Sequence, residues 1–189
     1  MDTGEAHRYL YDRLDTDAGK YFSPGRSLDL GAGQLFRGIQ FPLFDTDSSL
    51  YATAEGNVYV LSHECDIDQS NQRPFNEYVL IVPIISFEHW YEEFCRAYAH
   101  SPQIISSFLG RIARRQVSRL FYFPSVDHEL PYGGLVYLNQ ITHAHISTFL
   151  NDQAGRICSV TAYGLEKFDQ VLLQHLLRPK DNKLALIYR

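Results

Sequence analysis

The segment His63-Glu64-Cys65-Asp66-Ile67-Asp68 places an imidazole, a thiol and three carboxylates within six residues. A thiol beside an imidazole can act as a nucleophile, because the imidazole takes its proton and the imidazolium stabilises the thiolate. In extended chain His63 and Cys65 share one face, while Glu64 and Asp66 point the other way. Cys65 is thus a candidate nucleophile, His63 its base, and Asp66 or Asp68 the group that orients the base. The neighbouring carboxylates work against this, since negative charge holds a thiol protonated. A structural reading stands beside it, with Cys65 as a small buried hydrophobe and Asp66 capping a turn.

Apolar runs on either side must position this cluster. Val58-Tyr59-Val60-Leu61 leads into it, and Tyr78–Ile85 follows a polar loop. Both read as core strands, and reactive loops at strand ends are held still by such strands. Ile39, Phe41 and Leu43 alternate as a strand does, with a turn expected at Glu55-Gly56-Asn57. A short helix is expected over Ala6–Leu14. The apolar spacing then turns helical over Phe87–Tyr98, with Ser86 as N-cap, and again after Pro102. Leu120–Phe123, Leu135–Leu138 and Ile157–Val160 read as strands. A last helix, capped by Thr161, is expected to turn Leu165, Phe168, Leu172, Leu173 and Leu176 inward and to end near Pro179.

Other residues are candidates for binding. Arg111, Arg114, Arg115 and Arg119 fall at helical spacing and can clamp phosphates, and the aromatic run Phe121-Tyr122-Phe123 beside them can stack on single strands. A solvated helix face paired with acidic residues is the plainer account. His143 and His145 can join His63, Cys65 and Asp68 as metal ligands, yet neither spacing matches a zinc module. No metal is assigned, and no cofactor is implied. Leu28-Asp29-Leu30-Gly31-Ala32-Gly33 is similar to the first glycine motif of S-adenosylmethionine-dependent methyltransferases. That motif needs a helix after its glycines, whereas Ile39–Leu43 reads as strand.

The chain has 189 residues, 45% of them hydrophobic and 21% charged, enough for one globular core and one domain. A net charge of −5 argues against a wholly basic nucleic-acid binder but leaves room for a basic patch. The three cysteines, without a CxxC, fit free thiols in a reducing compartment. No apolar run reaches the ~18 residues of a membrane span and no signal peptide is apparent, so a cytoplasmic location is expected.

Two resemblances join these segments. Leu35-Phe36-Arg37-Gly38-Ile39, Val58–Ser62 and Leu80–Ile84 follow one another as in the MazF/PemK-like growth-inhibitor toxins. That resemblance covers residues 35–86 and implies an SH3-like barrel, with Arg37 in its ligand-contacting start. Asn57 stands where those RNases have Arg-Pro, and Ile84 follows Pro83 where they have Thr or Ser, so their cleavage residues do not transfer. The Cys65-Asp66-Ile67 step, the VxP strand, the helical stretch, Tyr122-Phe123-Pro124 and Ser159–Leu177 also resemble a group of uncharacterised bacterial and phage-borne proteins. The expectation is one α+β domain. It has an N-terminal helix and connection (1–27), a small SH3-like antiparallel β-barrel (28–86), a helical insert (87–118), and returning strands with a C-terminal helix (119–189). The expected function is a binding or accessory role in a toxin–antitoxin-like or phage-conflict setting, with a protein or nucleic-acid partner and the His63–Asp68 cluster as ligand contact or structural switch. The alternatives are a thiol-dependent hydrolase or transferase using Cys65 and His63, and a divergent endoribonuclease.

Overall fold

A computed structural model describes residues 1–14, 18–23, 29–45, 48–71, 74, 76–99, 101–126, 128–150 and 155–177. Leu28, Pro179 and much of the connection expected before residue 28 lie outside them. The first helix, α1, spans Thr3–Tyr11 and starts earlier than apolar spacing alone predicts. Asp2 and Glu5 form a capping box: the Glu5 N–H donates to Asp2 Oδ1 at 2.8 Å, and the Asp2 N–H to Glu5 Oε2 at 2.9 Å. A short α2 (Ala18–Tyr21) and β1 (Phe22–Ser23) follow, then the long strands β2 (Gln34–Asp45) and β3 (Leu50–Val60). A single helical turn, α3 (Glu64–Ile67), precedes β4 (Tyr78–Ser86). Next come α4 (Phe87–Ala97), α5 (Pro102–Ala113), β5 (Leu120–Phe123), β6 (Gly134–Tyr137), β7 (Thr142–His145), β8 (Gly155–Val160) and α6 (Ala162–Leu177).

The architecture is α+β with an antiparallel sheet in the order β1-β8-β2-β3-β4-β6-β5, and β7 also pairs with β4. The expected barrel is corrected here: among the described residues the sheet is open. β4 is its branch point: Ile81–Ile84 pair with Asn57–Val60 of β3 on one edge, while the other edge is divided. Tyr78–Ile81 pair with β7, and Ile84–Ser86 pair with β6, so the sheet branches there; β7 lies beside β2, with Thr142 Oγ1 donating to Pro42 O at 3.2 Å, but among the described residues no strand pairing joins the two. The expected turn at Glu55-Gly56-Asn57 is also absent, since β3 runs straight through it. The irregularity sits opposite, where the β2 register slips between Phe36 and Ile39 and Gly38 takes a φ of +66°.

Strand alternation sorts the side chains into layers. Phe121 and Phe123 face α6, where Phe168 is fully buried against them and Tyr59. Leu120 and Tyr122 of the same strand face the opposite layer, built from α1, α4 and α5. All four are therefore buried, and the Phe121-Tyr122-Phe123 run offers no ring to a nucleic-acid base. A third cluster under β2, β3, β4 and β7 holds Phe36, Ile39, Val58, Val60, Val79, Ile81 and Ala144. Ser86 caps α4 by accepting from the His89 N–H at 3.3 Å, and Thr161 Oγ1 accepts from the Gly164 N–H at 3.2 Å ahead of α6. On α6, Val171 takes the inward position in place of Leu173 and Leu176, which are 54% and 61% exposed. No described helix is long and apolar enough to cross a membrane.

The α1 layer contains a titratable ring. His7 packs among Tyr11, Phe87 and Tyr132, and its Nε2 is buried with no hydrogen-bond partner among the described residues. Burial lowers its pKa from the ordinary 6.5. The unfolded chain therefore takes up this proton first. The stability that neutral His7 supports is fully present above 6.5 and declines as pH falls through that value toward the folded one. Between neutral pH and mildly acidic buffer, the native protein is expected to lose more Tm than a His7→Leu variant. Equal losses in thermal melts of the two would show that His7 is not the group responsible.

Candidate functional site

The turn that carries the reactive cluster starts where β3 ends. The N–H groups of Leu61 and Ser62 both donate to Leu80 O, at 2.8 and 3.3 Å, and the Leu80 N–H donates to Ser62 Oγ at 2.8 Å. These bonds clamp the start of α3 to β4. His63 is the N-cap of α3, with extended backbone. Its ring folds back over the helix, so His63 and Cys65 meet through a cap and not across an extended strand. Nδ1 accepts from the Cys65 N–H at 3.4 Å and lies 3.3 Å from Cys65 Sγ. Asn71 Nδ2 donates to Cys65 O at 2.9 Å and steadies the same residue.

Nδ1 can accept from the Cys65 N–H or take the thiol proton only when it carries none itself, which is the Nε2–H tautomer of the neutral ring. Glu64 Oε2 is 3.3 Å from that same Nδ1. The expected orienting carboxylates are placed differently. Asp66 Oδ1 lies 3.8 Å from Cys65 Sγ, and Asp68 Oδ1 accepts from the Ser70 N–H at 2.9 Å, which holds the Asp68 carboxyl below its usual range. Cys65 is exposed, contrary to the buried-hydrophobe reading, whereas Cys158 is buried and Cys95 half-buried.

Cys65 lines a cleft of about 760 Å³. Its apolar lining is Leu30, Phe36, Ile67, Ile146, Phe149 and Leu150. Asp29, Glu64 and Asp68 add carboxylates, Arg156 a guanidinium and Gln34 an amide. A concave apolar surface with a few polar groups is the usual form of a small-molecule site. Apart from the His63–Asp68 segment, Asp29 and Leu30 of the glycine motif, and Gln34 and Phe36 of β2, these residues come from the last third of the chain, around β7 and β8, and spacing along the sequence did not reveal them.

The glycine motif finds its role in the cleft wall. The buried Gln34 accepts from the Gly31 N–H at 3.2 Å and donates from Nε2 to Asp29 O at 2.6 Å, closing the turn. A Cβ on Gly31 would fall 2.3 Å from Glu64 Cγ, so only glycine lets Glu64 pack against this turn. Gly33 has φ +83° and bonds both flanking strands, its N–H donating to Val60 O and its carbonyl accepting from the Val160 N–H. The motif thus joins β2, β3 and β8, and a strand follows it.

The remaining candidates are dispersed. Arg37 pairs with Glu129 and lies across Gly155. α5 ends at Ala113, so Arg115 and Arg119 leave the helical face expected for them. Arg115, at φ +53°, donates from Nη2 to Tyr21 OH at 3.2 Å. His143 and His145 flank Tyr78 across the β4–β7 ladder, edge-on to its ring. Among the described residues no three His, Cys, Asp or Glu side chains gather as a metal would require. No protein-family model matches the chain, and no curated protein matches it.

Proposed function

We propose that the protein binds a small amphipathic acyl compound in the Cys65 cleft and acts on it as a thiol-dependent hydrolase or transferase. The observation that carries this reading is the 3.3 Å approach of Cys65 Sγ to His63 Nδ1, with the cysteine exposed in the cleft wall. The proton on Sγ passes to Nδ1, and the thiolate attacks the acyl carbon, forming a C–S bond. The leaving group departs with the proton from the imidazolium, which Glu64 stabilises meanwhile. Water or a second acceptor then takes the acyl group and frees the thiol. The free state of Cys95 and Cys158 fits a reducing, cytoplasmic setting for such a thiol.

The test is acyl trapping. Short-chain and aryl thioesters should leave one acyl group on Cys65, seen by intact mass and peptide mapping, and Cys65→Ser should take none. If Cys65 stays unmodified by every ester while an alkylating reagent reaches it readily, the thiol is accessible but not catalytic, and the reading fails.

A binding or accessory role without chemistry, as in a toxin–antitoxin-like or phage-conflict system, is the second reading, and one observation favours it. Sγ, the Cys65 N–H and Glu64 all converge on His63 Nδ1. In a catalytic triad the orienting carboxylate holds the other ring nitrogen. Ligand protection of Cys65 from alkylation, without turnover, would support this second role.

A further inference from the structure

We propose that the ridge formed by α1 and the C-terminal end of α5 is a docking surface for the sugar–phosphate backbone of a nucleic acid. Arg8, Arg13, Arg111 and Arg114 are all exposed. They form one connected surface. The Arg13 guanidinium lies over the Tyr9 ring at 3.9 Å from its centroid, and its Nη1 donates to Tyr9 O at 3.3 Å. Tyr9 OH and the Arg114 guanidinium both lie beside Gly110, at 3.4 and 3.3 Å from where a Cβ would stand, and Arg114 Nε donates to Gln116 Oε1 at 3.1 Å. Arg111 is one helical turn before Arg114 and faces the Phe108 ring at 6.0 Å. Arg8 and Arg13 border a shallow concavity with Tyr9, Glu5 and Asp12.

Four arginines lie here beside the carboxylates Asp2, Glu5 and Asp12 of α1 and its caps, in a chain with net charge −5. None of these four guanidinium groups has a described carboxylate within ion-pair distance. Of the neighbouring acids, Glu5 is already held in the α1 capping box. Helix-terminal dipoles favour cations near the last turn, but that accounts for single arginines and not for a ridge across two helices. Four cations from two helices exceed what one phosphate group takes up, with Arg13 and Arg114 both beside Tyr9 and Arg111 one turn from Arg114. That arrangement matches the repeating charge of a nucleic-acid backbone better than the single phosphate of a modified peptide. Tyr9 and Phe108 are each faced by an arginine, so the surface offers planar cations and few free rings. The expected mode is contact with phosphates, with little sequence preference.

Fluorescence anisotropy with a labelled single-stranded RNA and a DNA duplex, each about 20 units long, tests this over about 50 to 200 mM salt. The native protein should bind at the low-salt end and lose affinity about a hundredfold across the range. An Arg8→Gln/Arg111→Gln/Arg114→Gln variant should bind more weakly and show a log–log salt slope shallower by about 3. Arg111→Gln alone should reduce the slope by about 1, which keeps the test decisive if the triple variant melts early. No binding of either nucleic acid at low salt, a variant that binds as the native protein does, or capture of a phosphopeptide alone would each overturn the proposal.

Discussion

His63→Ala is expected to lower the rate of Cys65 acylation by a cleft-bound thioester about a hundredfold or more, the size of a lost general base. The argument rests on a cap. His63 Nδ1 is held 3.3 Å from Sγ because the ring also caps α3, so the base reaches the thiol without any distant residue holding it there. Losing the ring removes the proton acceptor and a capping interaction together. His63→Asn separates the two, since an asparagine can cap a helix N-terminus but is no base at neutral pH. Both variants should therefore lose acylation, and only the alanine should also lose stability, by about 1 kcal/mol. Glu64→Gln should slow acylation by much less, because that carboxylate stabilises the imidazolium without accepting the thiol proton. Stopped-flow acylation rates with thermal melts of the three variants decide the matter. If His63→Asn acylates at the native rate, His63 is a cap alone and the binding role takes over.

The legible parts of this site were local. Val58–Leu61 and Tyr78–Ile85 were readable as strands because a short apolar run between polar loops must be buried and is too brief for a core helix. They do hold the His63–Asp68 turn. Ser86 and Thr161 were readable as caps because a hydroxyl one step before an apolar helical pattern has a defined bonding role. The wall of the cleft was not readable. Ile146, Phe149, Leu150 and Arg156 approach Cys65 only because β8 pairs with β2 and β7 with β4, pairings that span over sixty residues of chain. β7 itself reads Thr-His-Ala-His, with a single small apolar residue, and carries almost no strand signal. Gly31 and Gly33 pointed to a ligand loop by their spacing. Their actual constraint, the Glu64 stem and two flanking strands, exists only in the folded chain. The single helical face read for the arginine series does not extend to Arg115 and Arg119, because helical spacing persists in the sequence after the helix has stopped at Ala113.

Phe168→Ala is expected to destabilise the protein by about 3–5 kcal/mol, the usual cost of removing a fully buried aromatic ring. Phe168 has no exposed surface and touches rings on both β3 and β5. Its centroid lies 4.4 Å from Tyr59, 5.2 Å from Phe121 and 5.9 Å from Phe123, the last pair nearly parallel at 8°. Few side chains could relax into the space, because Phe121, Phe123 and Tyr59 are anchored on paired strands. The effect should also reach the site by a specific route. Gly33, whose backbone joins β3 to β8, would meet Leu165 of α6 at 2.9 Å if it carried a Cβ, so the helix lies directly against the glycine turn. Loosening α6 should therefore disturb the wall that Gln34 and Gly31 form beside Glu64. Phe168→Leu, which keeps most of the volume, should cost less stability and leave Cys65 reactivity near native. Chemical denaturation measures the first effect, and alkylation rates of Cys65 in the folded variants measure the second. A Phe168→Ala protein that loses stability but alkylates at the native rate would show that α6 supports the sheet without positioning the cleft.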